Sequence, residues 1–136
     1  MKIMLDPHAI MPVREHATDA GLDIKSPVDV MVPGMGGVLI RTGVHVQLPK
    51  GTCGILISKS GLNTKFGITS TGLIDEGYSG EIQVKLENSS RNGYQIHRED
   101  KITQLVVVPV IYPEIELSDS IEGGERGDNG FGSTGR

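Results

Sequence analysis

Glu81-Ile-Gln-Val-Lys-Leu-Glu87 alternates polar and apolar residues without a break. Successive side chains of a β-strand point to opposite faces, so this period puts Ile82, Val84 and Leu86 toward a core and the polar residues toward solvent. Outward from it, β-branched or alternating runs recur at Lys2–Leu5, Val28–Val32, Gly37–Arg41, Val44–Leu48, Thr52–Ser58, Ile102–Val110 and Glu114–Leu117. Pro33-Gly34, Gly36-Gly37, Pro49-Lys50-Gly51 and Arg91-Asn92-Gly93 supply the turn chemistry between them. Gly accounts for 19 of 136 residues and Trp is absent. The expected fold is therefore all-β, a barrel or two-sheet jelly roll of antiparallel strands.

Helical spacing is confined to Ser60–Phe66, with Ser60 as the expected N-cap. Leu105-Val106-Val107-Val108 is apolar on both faces, which calls for cover on two sides, by a second sheet and a loop or by another subunit. The length suits one domain, residues 1–121, followed by a Gly-rich arm, 122–136, too poor in apolar surface to pack a core and expected to be mobile until it closes over a ligand. Thirteen Lys and Arg against 17 Asp and Glu give a formal charge of -4. No basic block exists, which argues against direct nucleic-acid binding. The absence of a signal-peptide core or a long apolar run points to a cytoplasmic protein without a membrane partner. Cys53, the single cysteine, lies in the apolar run Cys53–Ile57 and reads as a buried structural thiol.

Five segments carry chemistry. Ala17-Thr-Asp-Ala-Gly-Leu-Asp-Ile24 sets Asp19 and Asp23 around a Gly turn leading into a strand, and Ser58-Lys59-Ser60-Gly61-Leu62 places a cation and a hydroxyl where backbone N–H groups favour anions. Gly72-Leu-Ile-Asp-Glu-Gly-Tyr-Ser-Gly80 offers Asp75 as a general base and Tyr78 as a platform. Gln104 interrupts the apolar strand Ile102–Val106. Arg126-Gly-Asp-Asn-Gly-Phe-Gly-Ser-Thr-Gly-Arg136 combines phosphate-gripping arginine, approachable backbone and one aromatic face for a base. Taken singly, each has a plainer reading: an Asx turn, a helix cap, a decorated hairpin, a ladder-satisfying amide and a terminal tail.

In order and spacing, the five together resemble the signature of the trimeric deoxyuridine triphosphatases, the compact bacterial and phage members in particular. The resemblance covers residues 17–136. It implies a jelly-roll subunit of the β-clip type in a homotrimer, with dUTP as substrate and Mg²⁺ as cofactor, each site being completed by a neighbour's C-terminal arm. On that pattern Asp75 deprotonates the water that attacks the α-phosphorus, and Asp23 supports Mg²⁺ through water. Lys59, Ser60, Gly61 and Gln104 line the phosphates. Leu73, Ile74 and Gln83 also touch the substrate, and Tyr78 presses on deoxyribose C2′, excluding a 2′-hydroxyl. Arg126, Gly132, Ser133 and Thr134 hold the γ-phosphate end, while Phe131 covers uracil.

The chain departs from the pattern in two places. Lys59 stands where Arg is usual, and Ile68-Thr-Ser-Thr-Gly72 reads as a shortened base-binding hairpin without the Asn that commonly grips uracil. Competing readings are a broader deoxynucleoside triphosphate pyrophosphatase, a nucleotide-sensing or protein-binding module on the same fold, and a dCTP deaminase. The last needs a catalytic Glu where Lys85 stands. A metal hydrolase built on His8, His16, His45 and His97 lacks ligand spacing.

Overall fold

The computed structural model describes residues 1–124. Its elements are β1 (Lys2–Leu5), β2 (Gly21–Lys25), β3 (Val30–Val32), β4 (Gly36–Gln47), β5 (Thr52–Ser58), α1 (Ser60–Phe66), β6 (Ile68–Thr69), β7 (Thr71–Ile74), β8 (Glu81–Asn88), β9 (Tyr94–Ile96) and β10 (Lys101–Pro109). Two four-stranded sheets, ordered β1-β4-β8-β6 and β2-β10-β5-β7, are joined by the small pair β3-β9, and every pairing is antiparallel. This is an all-β jelly roll, one of the two architectures the strand pattern allowed and the one the family resemblance implied.

In β8, Ile82, Val84 and Leu86 are fully buried, while Gln83, Lys85 and Glu87 are exposed. With Ile24, Ile40, Val44, Leu56, Ile102 and Leu105 they form a single apolar core. Asn88 ends the strand buried but satisfied: its amide donates to the carbonyls of Val32 and Asn92, and its oxygen accepts from Ser90.

The two runs Gly37–Arg41 and Val44–Leu48 belong to one strand, β4. Arg41 faces Gln83 and His45 faces Glu81, so four residues of β4 span two of β8. The slip is even, which preserves inward parity: Ile40, Thr42, Val44 and Val46 are all buried. Thr42 donates its hydroxyl to the Ile82 carbonyl, and Gly43 takes φ +66°, where a side chain would also strike Ala9.

Several expectations need correction. Lys59, not Ser60, is the N-cap of α1, and no side chain caps the helix; Ser60 is already helical. Val28–Val32 pairs only from Val30, because Ser26 folds its hydroxyl onto the Val28 backbone beforehand. Cys53 is half-buried. Ile68–Gly72 is not a hairpin: β6 pairs with β8 in one sheet, β7 with β5 in the other, and the extended chain crosses between sheets at Ser70. Ser70 is pinned there by Ser58 and Thr103. Glu114–Leu117 forms no strand, and Ile115 and Leu117 are 97% and 98% exposed, an alternating apolar edge with nothing against it in the subunit.

The outer face of the β2-β10-β5-β7 sheet carries Ile55, Ile57, Val106, Val108 and Leu73, which share a side through the strand register. Ile57 and Leu73 are exposed, and the others are half-buried. Leu105, facing inward, is buried, so the two-faced apolar run has its second cover missing within one subunit. Among the described residues no helix is long and apolar enough to cross a membrane.

Candidate active site

The sequence-predicted residues fall into two groups, one on that outer sheet face and one around the turn from β7 into β8. At one end, Asp23 and Gln104 are cross-strand partners, and Gln104 also faces Ile57, two residues before Lys59. Gly21 leaves room for the Gln104 side chain, since a Cβ there would sit 3.0 Å from Gln104 Cβ. Asp23 is buried; its Oδ1 accepts from Lys59 Nζ at 2.6 Å and its Oδ2 from Lys101 Nζ at 3.0 Å. Lys101 is tied in turn to Glu15 at 2.8 Å. Burial pushes the Asp23 pKa upward, but the hydrogen bonds and charges of Lys59 and Lys101 outweigh it and hold the carboxyl below its ordinary value. Asp23 is therefore an ionised, oriented acceptor. Ser60 and Gly61 follow directly on the first turn of α1, and both are exposed.

At the other end, the turn from β7 into β8 folds a cleft of about 300 Å³ lined by Leu73, Ile74, Asp75, Tyr78, Glu81 and Gln83. Five of these six were marked from sequence. Asp75 is exposed at its rim. Tyr78 donates its hydroxyl to the Glu81 carbonyl at 2.9 Å, and its ring lies where a side chain at position 80 would stand, so Gly80 is what admits the ring. The next residue after the proposed base, Glu76, accepts from the Gly51 N–H at 2.8 Å and from the Tyr112 hydroxyl at 3.0 Å, which together hold its carboxyl below the usual range.

Ile74 faces Gly54, and Lys59 comes five residues later, directly after the end of β5. At about 3.3 Å per residue the two groups are roughly 17 Å apart, beyond the reach of a shared phosphorus atom. A single subunit brings Leu73, Ile74, Asp75, Tyr78 and Gln83 together, and separately Asp23, Lys59, Ser60, Gly61 and Gln104, but does not join the two sets. Arg126, Phe131, Gly132, Ser133 and Thr134 lie outside the described residues.

Sequence reasoning missed Lys101, Glu15, Glu76 and Glu81. Lys101 had a signal, a charge directly before the buried Ile102. The others act through long-range partners that no local pattern announces. His8, His16, His45 and His97 do not converge, and among the described residues no three His, Cys, Asp or Glu could hold a metal ion.

Known proteins are similar to this chain over nearly its whole length. A family model described as dUTPase matches residues 7–135. Deoxyuridine 5′-triphosphate nucleotidohydrolase of Clostridium kluyveri is 43% identical over 96% of this chain and 94% of its own length. The dUTPase of Staphylococcus bacteriophage 80alpha, solved with dUPNHPP, superposes with a TM-score of 0.91 at 32% identity, over 99% of this chain and 98% of that one. A point mutant of the dUTPase from phage phi11 of S. aureus, described for its coordination of a structural Mg(II) ion, superposes at 0.82 with 31% identity, over 90% and 98% of the two chains.

Proposed function

The chain belongs to the dUTPase family, and on that premise we propose that it hydrolyses dUTP to dUMP and pyrophosphate with Asp75 as the general base, in a homotrimer whose sites are shared between subunits. The observation that carries the reading is the cleft in which Leu73, Ile74, Asp75, Tyr78 and Gln83 converge. Asp75 takes a proton from the attacking water as the new O–P bond forms at the α-phosphorus. The bond from that phosphorus to the bridging oxygen breaks, and pyrophosphate leaves. Tyr78, fixed by Glu81 and Gly80, stands against deoxyribose C2′ and leaves no space for a 2′-hydroxyl. The backbones of Leu73 and Ile74 border the base.

The phosphate-side residues come from another copy. That arrangement accounts for the roughly 17 Å separation and for the apolar outer face, which a threefold contact would cover. Lys59 is held on Asp23 in the free subunit. In the complex it and the Ser60 and Gly61 backbones neutralise phosphate oxygens, with Gln104 beside them. From a neighbouring chain, Arg126, Gly132, Ser133 and Thr134 close on the γ-phosphate and Phe131 on uracil.

Both Asp23 oxygens are already bonded to lysines, so Asp23 suits an outer-sphere role. This fits Mg²⁺ arriving on the substrate's phosphates with its own waters rather than held in a protein cage. When bound, the ion neutralises phosphate charge.

A nucleotide panel with Mg²⁺, assayed for pyrophosphate release, tests the reading. We expect dUTP to be clearly preferred, UTP and dCTP rejected, and dTTP the largest side activity. Hydrolysis of dCTP as efficient as that of dUTP makes the protein a broader deoxynucleotide pyrophosphatase instead. Gly80→Ala displaces the Tyr78 ring, and the preference for dUTP over UTP is expected to fall severalfold in kcat/KM. An unchanged ratio removes Tyr78 from sugar selection.

A further inference from the structure

The turn that carries Tyr78 is tied to β4 by a histidine with no part in the chemistry above. His45 stands opposite Glu81 on β8 and Met4 on β1. Its side chain is 17% exposed. Nδ1 lies 2.9 Å from the Ser79 carbonyl oxygen, and Nε2 lies 3.3 Å from Asp6 Oδ2.

Both partners are acceptors only: a carbonyl has no proton to give, nor does an ionised carboxylate. A neutral imidazole has one N–H and one lone pair, so in either tautomer one nitrogen would turn its lone pair toward an acceptor. The imidazolium has two N–H groups and satisfies both. We propose that His45 is a positioning residue for the sugar side of the cleft: as imidazolium it donates to Ser79 and Asp6 at once, clasping the Tyr78–Gly80 turn to β4 and β1, and it releases that clasp on losing a proton. The proposal rests on the reading of Tyr78 as the residue that faces deoxyribose C2′.

The surroundings support the charged form. Asp6 at the end of β1 and Glu81 on β8 are the acidic groups facing it. Arg41 is turned away onto Glu81 Oε2 at 2.7 Å, and Lys2 lines the same hollow two residues along the β1–β4 pairing. The Ser79 hydrogen bond, then that of Asp6, raises the His45 pKa above its ordinary value against the opposing effect of burial. A raised native value means that the clasp's contribution to stability is complete below the ordinary histidine pKa and disappears as pH rises through the native one. Tyr78 to the Glu81 carbonyl, and the Gly43 N–H to Glu81 Oε1, are further ties here that do not pass through His45.

Two measurements on the full chain test this. The first is an NMR titration of the His45 ring, assigned by loss of its signals in His45→Gln, with the Tyr78 ring followed in parallel. We expect His45 to titrate above the ordinary value, Asp6→Asn to lower that value, and Tyr78 to shift with His45 in the parent but not in His45→Gln. The second is the ratio of kcat/KM for dUTP to that for UTP between pH 6 and 9, in which effects common to both substrates cancel. In the parent it should fall severalfold as His45 deprotonates. In His45→Gln it should be flat, near the parent's high-pH value, and in Asp6→Asn the fall should move to lower pH. A His45 pKa at or below the ordinary value overturns the proposal, as does an identical ratio profile in parent and His45→Gln. If neither nucleotide is turned over, the activity reading fails, and the coupling of the Tyr78 resonance to His45 alone decides the clasp. Should His45→Gln not fold, Asp6→Asn carries both measurements.

Discussion

Asp75→Asn is expected to lower kcat by about 10² or more while leaving fold and nucleotide affinity in place. The carboxylate stands exposed at the rim of the cleft, outside the core, and its removal leaves no buried partner unpaired. The turn on which it sits is fixed independently, by Glu76 to Gly51 and Tyr112 and by Tyr78 to Glu81. Asparagine keeps the volume but cannot take a proton from water. Single-turnover rates together with binding of a non-hydrolysable dUTP analogue check it. Near-normal turnover would remove Asp75 as the base, and a large loss of affinity would make it a binding residue.

Removing residues 126–136 is the second large effect, and pairing it with Asp75→Asn reports on assembly. If each site takes Asp75 from one chain and the arm from another, each variant alone is nearly inactive. A mixed trimer then contains sites built from an intact cleft and an intact arm. Subunit exchange between the two inactive proteins should therefore restore activity well above either parent. Sites contained in one chain would leave the mixture as inactive as its components, since every chain carries a defect. Sedimentation of the parent should give the mass of three chains, and a stable, fully active monomer would refute the arrangement.

Strands long enough to show a period were legible. Lys2–Leu5 and Thr52–Ser58 form with the bounds expected, and β8 has the face assignment its alternation dictates. β9 has three residues and β6 two, too few for any period; β6 exists because the longer β8 offers it a ladder, and β9 because it pairs with the equally short β3. The crossing at Ser70 was unreadable for a different reason. Ile68–Ile74 is one extended stretch locally, and only the distant partners Asn88 and Gly54 assign its two ends to different sheets. Glu114–Leu117 failed in the opposite sense, an alternating pattern whose ladder is not in the subunit. Leu73, Ile74, Asp75 and Tyr78 of the cleft were legible because they lie close together along the end of β7 and the turn after it, whereas Glu81, already on β8, was missed. Lys101 on Asp23 and His45 on the Ser79 carbonyl were not legible, because partners 78 and 34 positions apart leave no trace in local spacing.

The order of the strands also constrains how the chain acquires its shape. Among the described residues no strand pairs with its immediate neighbour in sequence: β1 waits for β4, β4 and β6 for β8, β3 for β9, and both β2 and β5 for β10. There is no local hairpin from which collapse can start, and loop-closure entropy must be overcome before the first ladder forms. High contact order of this kind places refolding in the range of about milliseconds to seconds, far from the microseconds of small helical bundles. During synthesis the second sheet cannot close until Lys101–Pro109 has cleared the ribosome, so β2 and the apolar edge of β5 stay uncovered for most of translation.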